Sequence, residues 1–401
     1  MSVFIDFVSV IYFLIAISAT GSMQLKSIIS VVLFAMILLK RRNVPCFTYA
    51  PCKYIMFFLL FVSLEICISG NNPIPYALSR ISLFLPIILF DYYSKDKNGE
   101  RIFWVVLIIW ITISIRAFSL LYAGIFIPRN VVMKLQEAIP FSGGGYPLAV
   151  GSALLSCYLL DDLLWTKDKK RIKLIVIILL SSIVVLTQSS ITVIAMFIGY
   201  IFSIGLRIFR VSSLSKMNTF QVVSVVLLSI ICLLVLFFRE HIGELIMSIG
   251  AGKDDILSRR IMEFGFQFSG DDTIGVDASD SEGRFDRMLN SISTFFDYPI
   301  LGITSRIGSD HYLQGFSGVG NHSECFDTFA RFGLLAGIPY LASFYTAVRY
   351  ERKLQVAKIG FGYVIALILL FILNPFLYMS SNCVLFFMIP MMTMIRNKNQ
   401  R

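Results

Sequence analysis

All three histidines of the chain, His241, His311 and His322, fall in one polar stretch from about Arg239 to Cys325. His322 opens the segment NHSECFDTFARFG, where Glu324, Asp327 and Arg331 share a helix face at i, i+3 and i+7. A histidine with carboxylates nearby suits proton transfer, the imidazole accepting the proton and a carboxylate supporting it. Asn321 followed by Glu324 has capping-box spacing, which predicts a helix beginning at His322 and gives Glu324 a second reading as a capping partner. The dipole at such a helix start opposes protonation of an imidazole and keeps it the neutral base. Asp327 and Arg331 also read as a structural i, i+4 pair, and His241 and His311 as loop residues.

Upstream, Glu282 to Asp297 reads as an amphipathic helix with apolar positions Phe285, Met288, Leu289, Ile292, Phe295 and Phe296. Asp280 or Ser281 could cap it, and Pro299 follows its end. An apolar face of that breadth lies on a bilayer surface or packs on membrane-spanning helices. Arg284 sits in its first turn and Arg287 one turn on. Arg306 and Arg129 fall in polar connections, and Arg80 and Arg116 inside apolar segments. A charge inside an apolar segment needs a wet cavity or a partner such as Glu65.

The elements that must position these groups are membrane-spanning. The chain is 57% apolar, has a mean hydropathy of +0.78 and holds 36 phenylalanines in 401 residues, far beyond a soluble domain of this length. Apolar windows long enough for a ~30 Å hydrocarbon core fall near 3–20, 25–39, 54–70, 75–92, 102–122, 144–160, 172–188, 190–207, 220–238, 327–347, 359–375 and 378–395. The expected fold class is therefore all-α, a polytopic integral membrane protein of about 12 transmembrane helices with one large external loop containing an amphipathic helix. Residues 1–238 hold helices 1–9, residues 239–325 the loop, and residues 326–401 helices 10–12. The apolar N-terminus lacks the basic start of a cleaved signal and reads as a retained span.

The net charge of +10 is unevenly spread: the loop is net −7 and the remainder net +17. Its positives cluster in alternate connections, around Lys40 to Arg42, Lys95 to Arg101, Lys167 to Lys173, Arg207 to Lys216, Arg349 to Lys358 and Arg396 to Arg401. By the positive-inside rule these face the cytoplasm with both termini, and the acidic loop faces outward. That distribution argues against a nucleic-acid partner. The seven cysteines show no zinc-like spacing and no disulfide framework, so neither a metal nor another cofactor is expected. Gly333 and Gly337 form a small-xxx-small pair expected to let helices pack closely.

Two segments resemble the O-antigen ligase and polymerase superfamily of bacterial inner-membrane glycan enzymes. SEGRFDRMLNSISTFFDYPILGI is similar to its Gly-Arg, amphipathic helix, Pro, Leu-Gly pattern through Arg284, Pro299 and Gly302, and NHSECFDTFARFGLLAGI to its His-Asn/Ser, nine residues, Gly pattern through His322, Ser323 and Gly333. Two positions depart from it: Ser190-Ile191 lacks an arginine common after a span, and Ile303-Thr304 stands where Gly-x-Gly is common. The resemblance implies transfer of a glycan from a polyprenyl-diphosphate-linked oligosaccharide to an acceptor hydroxyl outside the membrane, without a metal. It implies His322 as base, supported by Glu324 or Asp327, and Arg284, Arg306, Arg129, Arg80, Arg116 and Arg331 as candidates around the diphosphate. The residues around His322 look more like the repeat-unit polymerase branch, making O-antigen or capsule with a chain-length regulator and a flippase as partners. A ligase that delivers the glycan to lipid A-core is the alternative. A transporter or flippase of lipid-linked glycans is a third reading, opposed by the concentration of ionisable groups in one loop.

Overall fold

The computed structural model describes residues 2–18, 22–40, 48–123, 139–143, 145–165, 170–187, 189–208, 237–251, 284–307, 319–321, 323–354, 361–376 and 378–399, with isolated positions between 226 and 265. All regular structure among them is helical: α1 Ser2–Ser18, α2 Met23–Lys40, α3 Ala50–Ile68, α4 Ile74–Tyr93, α5 Gly99–Ala123, α6 Tyr146–Trp165, α7 Lys170–Leu186, α8 Ser190–Ile208, α9 Arg239–Gly250, α10 Arg284–Asp297, α11 Thr304–Ile307, α12 Glu324–Leu354 and α13 Phe361–Leu373. The last, α14, runs from Met379–Cys383 through a wider π-type turn, Val384–Met388, into Ile389–Asn399. The apolar windows fall on these helices, except 220–238, which lies mostly outside the described residues. Among the described residues five stretches, Ala50–Ile68, Gly99–Ala123, Tyr146–Trp165, Ile191–Ile208 and Met379–Lys398, are long and apolar enough to cross a membrane by length and composition.

The chain divides into two compact units. The first comprises Met1–Ile113, Arg284–Val356 and Phe371–Arg401. In it α12 runs along α3, α10 packs on α12, and α2 packs on α4. Pro86 lies inside α4 and has no N–H for the carbonyl of Ser82. The Tyr12 hydroxyl of α1 takes that carbonyl instead, at 2.7 Å, and the Asn382 amide takes the neighbouring carbonyl of Leu83 at 2.9 Å. The missing backbone donor thus ties α1 to α4, and the Asn382 amide ties α14 to the same turn. The rings of Phe58, Phe84, Phe344 and Phe371 surround buried Tyr340.

The second unit, Ser114–Gly283 with Ala357–Leu370, is centred on α6, which packs on α7 and α8. Asp161 near the end of α6 is buried and accepts the Tyr363 N–H at 3.3 Å. Asp162 pairs with Lys173 at 2.6 Å.

The amphipathic helix expected over Glu282 to Asp297 is observed as Arg284–Asp297; the proposed caps, Asp280 and Ser281, lie outside the described residues. It packs on α12, with Phe295 against Phe329 at 5.6 Å. The apolar face is not wholly covered: Leu289 and Phe296 are exposed, the latter 72%. The residues turned inward are Ser291 and Thr294, because Ser291 is needed as a hydrogen-bond partner there.

Candidate functional site

A buried polar constellation of the first unit is built around a break in α12. Gly333 has φ 57° and ψ −161°, so the helix stops and restarts there. A break leaves donors and acceptors without helical partners, and buried ones must find others. The turn after α10 supplies them. Pro299 and Ile300 accept the N–H groups of Leu334 and Leu335 at 2.8 and 3.1 Å; Ile303 N–H donates to the Ala330 carbonyl at 3.0 Å, and the Thr304 hydroxyl to that of Arg331 at 2.6 Å. Gly302, also left-handed with φ 63°, lets the two backbones meet, since a Cβ on it would collide with the Arg331 carbonyl. Gly333 is therefore not the helix-packing glycine that its spacing to Gly337 suggests. It is the pivot of a backbone clasp. Gly337 instead makes room for the Phe329 ring, 2.8 Å from where a Cβ would stand.

The clasp aims the short arm Glu324–Phe332 of α12. That arm does not begin at His322 with Asn321 as cap. Asn321 is left-handed, φ 56°, a conformation asparagine tolerates, and its side-chain oxygen accepts a hydrogen bond from Arg331. Ser323 is the cap: its hydroxyl accepts the Phe326 N–H at 3.2 Å. In return the Asp327 carboxylate accepts the Ser323 N–H at 3.1 Å, and its other oxygen takes the Ser291 hydroxyl of α10 at 2.6 Å. Ser291 itself accepts the Gly320 N–H at 2.8 Å. Asp327 thus links α12, α10 and the backbone on both sides of position 322. Asp327 and Arg331 are also within electrostatic reach of each other.

Glu324, the first residue of the arm, is buried and held from the other side. Its carboxylate accepts the Tyr340 hydroxyl at 2.6 Å and the Phe376 N–H at 3.0 Å, while its own N–H donates to the Asn374 carbonyl at 3.0 Å. The capping-box role predicted for Glu324 is not the one observed, because the helix starts at Glu324 and not two residues earlier.

Arg80 of α4 stacks its guanidinium over the Tyr76 ring at 4.7 Å. Its Nε is buried without a hydrogen-bond partner among the described residues. Arg80, Arg331 and Glu65 lie within electrostatic reach of Tyr76, and Glu324 and Tyr340 within reach of Arg80. Glu65 on α3 is fully buried, and neither carboxylate oxygen has a hydrogen-bond partner among the described residues. It does not form the ion pair with Arg80 that the sequence suggested. The cluster therefore holds two guanidinium groups, two carboxyl groups and two phenols in a mostly apolar bundle, a setting that strengthens charge interactions with an anion.

The sequence-derived candidates distribute as follows. Glu324, Asp327, Arg331 and Arg80 come together in the first unit. Arg306 is exposed on α11, in the same unit, and Arg116 is exposed on α5 in the second unit. His322 and Arg129 lie outside the described residues, as does the side chain of Arg284, whose backbone opens α10. Ser291, Tyr340, Tyr76 and Asn374 are additional. Ser291 and Tyr340 carried a signal, each being a hydroxyl on an otherwise apolar helix stripe; Asn374 and Phe376 carried none, since they act through the backbone.

Residues 175–341 match a family model described as O-antigen ligase. The match spans the clasp, Asp327, Glu324 and Tyr340, and supports the O-antigen ligase/polymerase superfamily. No curated protein and no solved structure matches the chain.

Proposed function

We propose that this multi-pass membrane protein is a glycan polymerase, moving a growing oligosaccharide from a polyprenyl diphosphate onto a hydroxyl of a second lipid-linked repeat unit outside the bacterial cytoplasmic membrane. The observation that carries this reading is the pair of anchored carboxylates. Each oxygen of Glu324 and Asp327 already accepts a hydrogen bond, which suits them to orienting the backbone around His322 and leaves the imidazole as the base. In the reaction the acceptor oxygen bonds to the anomeric carbon, the bond from that carbon to the diphosphate oxygen breaks, and the diphosphate leaves with the electron pair. The acceptor proton passes to His322. Charge on the leaving group is met by Arg80 and Arg331 beside Tyr76, with Arg284 at the start of α10 as a further ligand and Arg306 in a lesser role. Preorganised cations at a developing negative charge supply most of the rate enhancement in such a transfer.

The ligase reading keeps the same donor and changes the acceptor to lipid A-core; the description of the matching family favours it, whereas the His-Ser-Glu run favours the polymerase. A chain-length regulator and a flippase are the partners a polymerase would have. The test is complementation of a polymerase-null, ligase-intact strain, read as a ladder of surface glycan. A ladder with the wild-type gene, reduced to a single-repeat band by His322→Ala and by Arg284→Ala at equal membrane expression, is the expected result. Rescue of a ligase-null strain instead would select the ligase reading.

A further inference from the structure

An apolar stripe on α9 faces solvent. Phe238, just before the helix, and Ile242, Leu245 and Ile249 within it fall at i, i+4, i+7 and i+11, a band about 60° wide on a helix of ~3.6 residues per turn. Leu245 is 65% and Ile249 61% exposed, and Phe238 is exposed as well. The chain's own packing uses the opposite side of the helix. There a Cβ on Gly265 would stand 2.7 Å from the Gly243 carbonyl oxygen and 2.6 Å from the Met247 side chain. The stripe is thus a second face, turned away from the contact that holds α9.

A bilayer, a second copy of the chain or another protein could cover such a stripe, and three observations choose among them. The helical path does not end where α9 begins: the Phe238 N–H donates to the Leu234 carbonyl at 2.8 Å and the Ile242 N–H to the Phe238 carbonyl at 2.9 Å, both i to i−4 bonds. Phe238, at φ −90° and ψ 15°, bends that path without breaking it. α9 therefore continues from the apolar window 220–238, and Ile249 stands about 17 Å beyond Phe238 at ~1.5 Å per residue. A helix lying on a bilayer surface has to leave the line of a spanning helix, and here the hydrogen bonds run on. A lipid-binding helix also pairs a broad apolar face with lysine and arginine. This band is instead the narrow seam of helix-on-helix packing, and α9 carries Glu240 and Glu244 against one arginine, Arg239, and no lysine. The Glu244 carboxylate lies 3.4 Å from the ring nitrogen of His241, at the edge of the stripe. The loop that α9 opens is net −7, so two copies repel each other here and a basic partner is drawn in.

We propose that α9 is a docking site for another protein, which lays an amphipathic helix along Phe238, Ile242, Leu245 and Ile249 and sets lysine or arginine beside Glu244. The surface belongs to the second unit, and the inference is independent of the reaction proposed above.

The test uses the full chain in nanodiscs of phosphatidylcholine. The probes are two synthetic four-heptad peptides with Ile at a and Leu at d, one with Lys and one with Glu at e and g, and binding is read by fluorescence anisotropy. The Lys peptide is expected to bind about tenfold more tightly than the Glu peptide and to lose about tenfold in affinity on Leu245→Asp or Ile249→Asp. Glu244→Lys should narrow the preference between the peptides. Both aspartate sites are exposed, so Tm should not change; a lower Tm would place the stripe inside the chain's own packing and overturn the proposal. In cells, a photoreactive residue at Leu245 should form an adduct with a different protein, through a peptide in which Lys or Arg flanks an apolar i, i+3, i+7 seam, and Ile249→Asp should abolish that adduct. Equal binding of the two peptides, or an adduct to lipid, to a second copy or to another segment of the same chain, overturns the proposal.

Discussion

Gly302 and Gly333 are 31 positions apart and press backbone to backbone: a Cβ on Gly333 would stand 2.6 Å from the Gly302 nitrogen, and both residues have positive φ. Alanine at either site meets strain and collision together. Gly302→Ala and Gly333→Ala should each cost about 3 kcal/mol or more, read as loss of monodisperse protein and a lower Tm in detergent. Wild-type Tm in both variants would mean that the clasp does not form.

Thr304 stands where the family resemblance leads one to expect a glycine, and its hydroxyl donates to the Arg331 carbonyl. Thr304→Val keeps the shape and removes the donor, so it should destabilise by about 1–2 kcal/mol and lower glycan transfer. Thr304→Ser should restore most of both. Equal behaviour of valine and serine would assign the position to packing alone.

Asp327 and Ser291 share one hydrogen bond across α10 and α12. A double-mutant cycle with Asp327→Asn and Ser291→Ala should give a coupling on the order of 1 kcal/mol in thermal stability, with transfer falling at least tenfold for Asp327→Asn. Additive effects would place the two in separate roles.

Tyr340→Phe deletes a donor to the buried Glu324 carboxylate, which also accepts from the Phe376 N–H. The cost should be about 2 kcal/mol, as for hydrogen bonds to charged groups. Glu324→Gln can still accept from Phe376 and bond to Tyr340, so it should fold better than Tyr340→Phe. If it also transfers glycan at the wild-type rate, the charge of Glu324 is dispensable and its role is to hold the arm.

Glu65 gives the opposite sign. A fully buried carboxyl without hydrogen-bond partners among the described residues costs free energy that leucine of similar size would not. Glu65→Leu should raise Tm while reducing transfer. A lower Tm would show that the carboxyl is engaged in the folded bundle.

The helices were legible because hydropathy is a local quantity: α1 to α8 and α12 to α14 lie on windows readable in one dimension. The spacing Glu324, Asp327, Arg331 was legible for the same reason, helical periodicity being short-range. What failed was capping and packing. Asn321 and Ser323 both have capping chemistry, and only the left-handed backbone of Asn321 decides for Ser323. Gly333 could be read as a packing glycine because its partners, Pro299 to Thr304, are tied to it by backbone bonds that leave no pattern in side chains. Glu65 and Arg80 were expected to pair by charge alone, but the ring of Tyr76 takes the guanidinium.

The anchoring of Glu324 has a consequence for biogenesis. Its partner Phe376 follows it by 52 residues, in the connection between α13 and α14, so the arm cannot be fixed when α12 leaves the ribosome. One further helix, α13, must be made first. Glu324 therefore emerges unclamped, and the order of translation itself delays completion of this part of the arm until Phe376 has been made.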